Sequence, residues 1–179
     1  METRVAIFED NKLVRDALQA ILNGTAGFNC TGVFTDGNRW EQDIKRSQPD
    51  VVLMDIEMPG LNGIELTKKI TEQFPDIKVL IQTVFNDNEK IFQAMCAGAS
   101  GYILKNDPPY KYLEAINEVY NGGASISPAV AKRMLGFFSN KNVILVSPGN
   151  TDFLLSEREK EILRLMVEGH HYKSIADKS

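Results

Sequence analysis

Four of the five apolar segments in the first part of this chain end in side chains that suit phosphate or metal chemistry. Carboxylates follow the first and third segments, a hydroxyl ends the fourth and an ammonium ends the fifth: Glu9 with Asp10, Asp55, Thr83 and Lys105. Clustered carboxylates repel one another without a cation, and an all-oxygen ligand set suits Mg²⁺. A carboxylate can act as a nucleophile that forms an acyl phosphate, while a lysine ammonium places a point charge on phosphate oxygens. Brought together, these side chains would form a site at which Asp55 accepts a phosphoryl group.

The apolar segments that must position these side chains are short, continuous and rich in Val, Ile and Leu. This is typical of parallel strands that are buried on both faces. We predict five strands, at 4–8, 29–34, 51–54, 78–83 and 101–105, with Asp55 as the last residue of the third. Apolar residues at helical spacing predict helices at 11–23, 37–47, 62–74 and 87–97. A fifth helix is expected after Pro108 and Pro109, ending at Gly122 and Gly123.

Five strand–helix pairs within residues 1–123 predict an α/β fold with a doubly wound, five-stranded parallel sheet. In such open sheets, ligands bind beyond the carboxyl ends of the strands, where the strand order reverses. The four polar strand ends would then lie at one edge of the sheet. That placement gives a reason for a buried strand to run directly into the carboxylate of Asp55.

The pattern changes after Gly123. "SPAVAKRMLGFFSN" at 127–140 predicts one more helix, with Ser127 as its cap. Residues 141–153 have no helical period and are interpreted as a linker, although "VILV" within them could pair as a strand. From residue 154 a helical pattern resumes, with the capping box Ser156–Glu159. We therefore predict a domain at 1–123, a linker with one helix at 124–153 and the start of an all-α domain at 154–179.

Composition and charge exclude some classes of protein. No apolar run approaches the ~18 residues of a membrane span, and the N-terminus lacks a secretory signal, so a cytoplasmic protein is expected. Cys30 and Cys96 lack metal-type spacing and are expected to be reduced, buried thiols. Residues 1–123 carry 12 basic and 18 acidic side chains, while residues 124–179 carry 8 basic and 6 acidic ones. The second part is therefore the better candidate for contact with nucleic acid.

Residues 1–123 resemble the receiver domain of bacterial two-component response regulators. The resemblance rests on "FED" at 8–10, "DIEMPGLNG" at 55–63, Thr83 and "GYILK" at 101–105. It implies a flavodoxin-like fold and a protein that acts on itself rather than an enzyme with a separate substrate. Asp55 would accept the phosphoryl group from a phosphohistidine of a sensor histidine kinase.

The same resemblance implies a Mg²⁺ site. Asp10 and Asp55 would bind the ion directly, and the backbone carbonyl of Glu57 would be the third protein ligand. Glu9 stands where the family often has Asp, and it would contact the metal through water.

The resemblance also implies a switch. Thr83 and Tyr102 would move together, the hydroxyl toward the phosphoryl group and the ring inward, while Lys105 binds the phosphoryl oxygens. One departure is that Val84, followed by Phe85, replaces the small residue that usually comes after the hydroxyl. The extra methyl groups are expected to narrow the approach to Asp55 and so to alter the rates of phosphorylation and dephosphorylation.

"LSEREKEILRLMVEGHHYKSIAD" at 155–177 resembles the first half of the LuxR-type helix-turn-helix found in response regulators of the NarL/FixJ class. The resemblance implies binding to promoter DNA through a complete C-terminal domain, and a homodimer when phosphorylated. Because the sequence stops at Ser179, before any recognition helix, we expect this domain to be incomplete here. His170 and His171 are adjacent in a turn and are not expected to bind metal.

Three alternatives to a transcription regulator can be considered. A phosphohydrolase of the haloacid dehalogenase type would need D-x-D on its first strand, which this chain lacks. A flavin-binding module would need a small-residue phosphate loop after the first strand, but "EDNKLV" is acidic and would repel phosphate. A stand-alone receiver that acts only through protein contacts remains open.

Overall fold

A parallel sheet covered by helices on both faces confirms the predicted fold class. The computed structural model describes residues 2–84 and 88–139. Its strands are β1 Thr3–Phe8, β2 Phe28–Phe34, β3 Val51–Asp55, β4 Lys78–Thr83, β5 Gly101–Leu104 and β6 Ser125–Ile126. Its helices are α1 Lys12–Asn23, α2 Trp40–Ser47, α3 Gly63–Gln73, α4 Asn88–Cys96, α5 Pro109–Tyr120 and α6 Pro128–Ser139.

The strands lie in the order β2–β1–β3–β4–β5–β6, and each neighbouring pair is parallel. The chain runs outward from β1 to β2 and then returns past β1 to β3, so the strand order reverses between β1 and β3. At such a point the loops after the two strands diverge and open a crevice in which ligands bind. Asp10 follows β1 and Asp55 ends β3, so both lie at this crevice.

Two helical layers bury the sheet. On one face α1 and α5 cover the strands through Leu22 and Ile116. On the other face α2, α3 and α4 cover them through Ile44, Leu66 and Ile91. Each of these five side chains is at most 1% exposed, and such burial contributes about 1.5–3 kcal/mol per side chain. Burial on both faces explains why the strands are continuously apolar.

Helix starts differ from the predicted ones for identifiable reasons. The predicted helices at 11–23 and 62–74 include Asn11 and Asn62. Each is instead an N-cap whose side-chain oxygen accepts hydrogen bonds from two backbone N–H groups of the first turn. The second helix begins at Trp40 rather than at 37. There the Asp36 carboxylate accepts a hydrogen bond from the backbone N–H of Asn38, 2.8 Å away, and turns the chain.

The sheet has a sixth strand that the sequence analysis did not predict. Ser125 and Ile126 of β6 pair with Gly101 and Tyr102 of β5. A Cβ atom on Gly101 would lie 2.6 Å from the backbone oxygen of Ser125, so glycine at this position lets β6 approach. Two residues are too few to show a period of two, which is why the sequence pattern missed this strand.

The helix predicted at 127–140 is confirmed as α6. The Ser127 hydroxyl accepts a hydrogen bond from the Val130 N–H at 3.3 Å, as expected of its cap. Val130 is 1% exposed and lies in the same apolar cluster as Ile91 of α4 and Tyr102 of β5. Residues beyond Gly123 therefore contribute to the core of the sheet.

Other predicted features lie outside the described residues. These are Phe85, the linker at 141–153, and the helix-turn-helix segment at 154–179 with His170 and His171. Among the helices in 2–84 and 88–139, none combines the length and the apolar character that crossing a membrane requires.

Candidate functional site

Three carboxylates meet at the carboxyl ends of β1 and β3. One oxygen from each of Glu9, Asp10 and Asp55 lies within 4.8 Å of the other two. Glu9 is 0% exposed and Asp55 is 4% exposed, whereas Asp10 is open to solvent. Full burial of a carboxylate is rare unless it has a charged or hydrogen-bonding partner. The cluster therefore requires a source of positive charge.

Lys105 supplies part of that charge. Its ammonium Nζ lies 2.7 Å from Glu9 Oε2, 2.9 Å from Glu9 Oε1 and 2.8 Å from Asp55 Oδ2. The side chain follows β5 directly, and the Lys105 N–H donates to the backbone oxygen of Thr83 at 2.8 Å. Only 12% of the Lys105 side chain is exposed, so water screens these ion pairs weakly. One cation thus bridges two buried carboxylates.

The carboxylates remain short of positive charge. Burial raises the pKa of Glu9; the hydrogen bond from Lys105 opposes this rise, and the nearby charge of Asp55 adds to it. Burial likewise raises the pKa of Asp55, again opposed by Lys105. Burial alone would lower the pKa of Lys105, but its hydrogen bonds to Asp55 and Glu9 outweigh that effect and raise it. A second cation at the cluster would relieve the cost of holding both acids ionised.

The donor set fits a hard divalent cation. All three groups of the cluster, from Glu9, Asp10 and Asp55, are carboxylates, and an all-oxygen ligand set of this kind suits Mg²⁺. Asp10 leaves the cluster accessible from solvent, which suits an ion that keeps several of its waters. The role of the Glu57 carbonyl as a further ligand stays a prediction.

A tight loop after β3 holds Asp55 in place. Gly63 begins α3 so close to this strand end that a Cβ atom on it would lie 1.9 Å from the backbone oxygen of Asp55. The Gly63 N–H donates to the Ile56 carbonyl at 2.9 Å, and Gly60 has a φ of +86°. A larger residue at 63 would push α3 away from the strand. The glycines in "DIEMPGLNG" therefore let the loop and α3 pack closely against the strand end that carries Asp55.

The predicted switch residues lie on neighbouring strands. Thr83 is 0% exposed at the end of β4, where it pairs with Leu104 of β5. Tyr102 lies two residues earlier on β5 and is 3% exposed, in a cluster with Ile91 of α4 and Val130 of α6. The ring is thus already buried beneath these two helices. The coupled movement of the pair stays a prediction.

Val84, the departure noted in the sequence, is 68% exposed. Its side chain therefore does not pack into the core and lies on the surface directly after the buried Thr83. Its influence on phosphorylation rates stays a prediction.

An open cleft of about 520 Å³ lies beside the acidic cluster. Its lining includes Asp10, Ile56, Glu57 and Lys90 of α4. The Lys90 ammonium forms an ion pair with the Glu57 carboxylate at 2.7 Å. The side chain of Glu57 is thus engaged with α4. This cleft opens the cluster to solvent beside Asp10.

The sequence analysis missed two residues that contact Glu9 or Asp10. Arg15 of α1 donates from Nη1 to the backbone oxygens of Glu9 at 2.9 Å and Asp10 at 3.0 Å. Gln82 of β4 is 0% exposed and donates from Nε2 to Glu9 Oε2 at 3.2 Å. Gln82 carried a detectable signal, because it is the single polar residue inside the otherwise apolar "VLIQ" run. No feature of the sequence distinguishes Arg15 from the other surface residues of an amphipathic helix.

A family model and a known protein match most of this chain. Residues 5–117 match the family model described as "Response regulator receiver domain". The chain is 37% identical over 177 residues to the oxygen regulatory protein NreC of Staphylococcus carnosus, covering 98% of this chain and 82% of that protein.

Solved structures agree. A two-component response regulator of the LuxR family from Aurantimonas sp. SI85-9A1 has a TM-score of 0.72 and 26% identity, covering 78% of this chain and 99% of that one. A DNA-binding response regulator of the LuxR family from Staphylococcus aureus has a TM-score of 0.63 and 30% identity, covering 66% of this chain and 99% of that one.

Proposed function

Because this chain belongs to the two-component response regulators of the NarL/LuxR class, we propose that Asp55 is the residue that accepts the phosphoryl group. The observation that carries the proposal is the buried bridge from Lys105 to Asp55 and Glu9, beside the exposed carboxylate of Asp10. Asp55 is a carboxylate at a strand end, held by a tight loop and adjacent to an open cleft.

The acceptance step needs a nucleophile and a way to offset charge. An Asp55 carboxylate oxygen attacks phosphorus, an O–P bond forms, and the P–N bond of the kinase phosphohistidine breaks as the imidazole nitrogen leaves with its electron pair. Mg²⁺, when held by Asp10 and Asp55 with the Glu57 carbonyl, would neutralise charge on the phosphoryl oxygens. Glu9 would contact the metal through water. Lys105 is 2.8 Å from Asp55 Oδ2 and so is placed to follow the phosphoryl group.

Signal read-out would use the neighbouring strands. The Thr83 hydroxyl would donate to a phosphoryl oxygen, and the buried Tyr102 ring on the neighbouring strand would move with it, biasing an existing equilibrium between two conformations. Both side chains are buried near the end of the sheet that carries the acceptor, on strands β4 and β5.

Output would lie in the C-terminal part of the chain. We assign residues 1–123 to the receiver, 124–153 to a linker with one helix, and 154–179 to a LuxR-type DNA-binding segment. The matched Staphylococcus aureus protein is described as DNA-binding, which supports binding to promoter DNA as the output. We further propose a homodimer as the phosphorylated form. The partner that supplies the phosphoryl group is a sensor histidine kinase, which places the exchange in the cytoplasm.

The test is intact-protein mass spectrometry after incubation with acetyl phosphate and Mg²⁺. We expect a gain of one phosphoryl group in the wild type and none in Asp55→Asn, because the amide cannot act as the nucleophile. EDTA should suppress labelling of the wild type. Asp36→Asn, an equivalent change at a half-buried aspartate outside the cluster, is the matched control and should be labelled normally. Equal labelling of Asp55→Asn would show that another residue is the acceptor.

A further inference from the structure

Gln82 is a polar residue in a position that suits an apolar one. It lies inside β4, between β3 and β5, and is 0% exposed, as are the neighbouring Leu80 and Ile81. An amide that is removed from water costs free energy unless its donors and acceptors are paired. Its presence in the core therefore requires a specific contact.

One end of the side chain makes such a contact and the other does not. The Gln82 amide nitrogen Nε2 donates to Glu9 Oε2 at 3.2 Å, reaching from β4 toward the end of β1 across β3. In the sheet register Gln82 lies opposite Asp55. Its carbonyl oxygen Oε1 is buried and has no hydrogen-bond partner within residues 2–84 and 88–139. A half-satisfied amide is a poor choice for stability alone.

Glu9 has three kinds of donor around its carboxylate. Lys105 contacts both oxygens, the backbone N–H of Asn11 donates to Oε1 at 3.2 Å, and Gln82 donates to Oε2. When Lys105 turns toward a phosphoryl group on Asp55, Glu9 stays buried but loses part of its contact with the Lys105 ammonium. Asn11 then holds one oxygen and Gln82 holds the other. Without Gln82, Oε2 would be left as an unpaired buried acceptor.

We propose that Gln82 is a positioning residue of the phosphoryl-acceptor site, which fixes the Glu9 carboxylate so that Lys105 is free to serve the phosphoryl group. The inference rests on the proposed function of Asp55 and extends it to a neighbouring strand. Groups that orient the ligands of a metal typically change its affinity by about 10- to 100-fold when removed.

The decisive variant is Gln82→Met, which has a similar shape and no hydrogen-bonding amide. We expect Mg²⁺ affinity, measured by isothermal titration calorimetry at pH 7.5, to fall about 10-fold. The initial rate of labelling by acetyl phosphate should fall with it. Thermal stability in EDTA should be unchanged or higher, because the substitution removes a buried unpaired acceptor. A residue kept only for the fold would show the opposite, with lower stability and the same Mg²⁺ affinity.

Gln73→Met is the matched control. Gln73 also donates its side-chain amide to a glutamate carboxylate, Glu41 at 2.9 Å, but this contact is exposed and joins α3 to α2. The control should bind Mg²⁺ and accept phosphoryl groups as the wild type does. If Gln82→Met matched this control in Mg²⁺ affinity and labelling rate, the proposal would be overturned.

A second measurement uses the wild-type protein and decides the question even if Gln82→Met fails to fold. The side-chain ¹⁵N–H₂ resonances of Gln82 should shift on titration with Mg²⁺, while those of Gln73 should not. Resonances of Gln82 that stay fixed at saturating Mg²⁺ would overturn the proposal. Failure of the wild type to be labelled at Asp55 would instead refute the proposed function, so the two failures are distinguishable.

Discussion

At the scale of single residues, the charge balance around Lys105 controls the site. One buried ammonium contacts Glu9 and Asp55, and Asp10 adds a third carboxylate at the solvent side. Burial raises the pKa of both Glu9 and Asp55 despite the hydrogen bonds from Lys105. The folded protein is therefore predisposed to bind either protons or a metal cation at this position.

This balance predicts a stabilising effect of Mg²⁺ that grows with pH. Carboxyls whose pKa is raised on folding bind more protons in the folded state, so without metal their contribution to stability falls as pH rises. The fall begins at the ordinary values, 4.5 for Glu9 and 3.8 for Asp55, and continues up to the raised ones. Mg²⁺ binds the ionised form. We expect roughly 1 to 3 kcal/mol of stabilisation when Mg²⁺ is in 10- to 100-fold excess over its Kd at pH 7.5, and less at pH 5.

Urea unfolding with Mg²⁺ and with EDTA at the two pH values measures this effect. Asp10→Asn should lose most of the Mg²⁺ stabilisation because it removes one ligand, whereas Asp36→Asn should retain it. Equal stabilisation at pH 5 and pH 7.5 would contradict the assignment of these acids as the metal-binding group.

At the scale of elements, β6 and α6 extend the packed core beyond the five strand–helix pairs. β6 pairs with β5 at the residue that carries the predicted switch ring, Tyr102. α6 then packs on α4 and buries Val130 in the cluster that contains Ile91 and Tyr102. The helix that leads toward the C-terminal part of the chain thus contacts the elements next to the phosphoryl-acceptor site.

We predict that Val130→Ala destabilises the receiver although residue 130 lies after its predicted boundary. Loss of two buried methyl groups should lower the free energy of unfolding by about 2 kcal/mol, measured by urea denaturation of residues 1–139. Leu135→Ala on the same helix is the control, because Leu135 is 59% exposed and should cost about 0.5 kcal/mol or less. A chain truncated after Gly123 should melt at a lower temperature than residues 1–139. Equal stability of the truncated chain would show that α6 adds nothing to the core.

At the scale of the whole molecule, phosphorylation should change self-association. Phosphorylation need only shift an equilibrium between two existing conformations by a few kcal/mol. Thr83 is 0% exposed at the end of β4, and its hydroxyl is the group expected to sense the phosphoryl oxygen. The association state of the protein is the read-out closest to its proposed function.

We predict that acetyl phosphate with Mg²⁺ shifts the wild type toward a dimer in sedimentation velocity. Thr83→Ala should gain the same mass in mass spectrometry but keep the sedimentation profile of the unphosphorylated protein, because the methyl group cannot donate a hydrogen bond. Thr31→Ala, at a threonine of the edge strand β2 that β1 and β3 separate from β4, should respond like the wild type. A normal shift in Thr83→Ala would exclude the hydroxyl as the sensor.

Local patterns in the sequence determined five of the six described strands, the helices and the gathering of Glu9, Asp10, Asp55 and Lys105. Apolar continuity identifies parallel strands, and the carboxyl ends of such strands must meet at one edge. Pairing between distant residues was decided by the tertiary structure. Gln82 contacts Glu9 across 73 positions of sequence, and no period within one segment encodes such a contact.

The same reason applies to β6 and to the burial of Val130. A two-residue strand has no detectable pattern, and its existence depends on the glycine at 101 that β5 presents to it. The apolar face of α6 was visible in the sequence, but the surface that it covers is formed by α4 and β5 only after the sheet has assembled. Sequence therefore determined which residues could do the chemistry, and three-dimensional packing decided which other residues hold them in place.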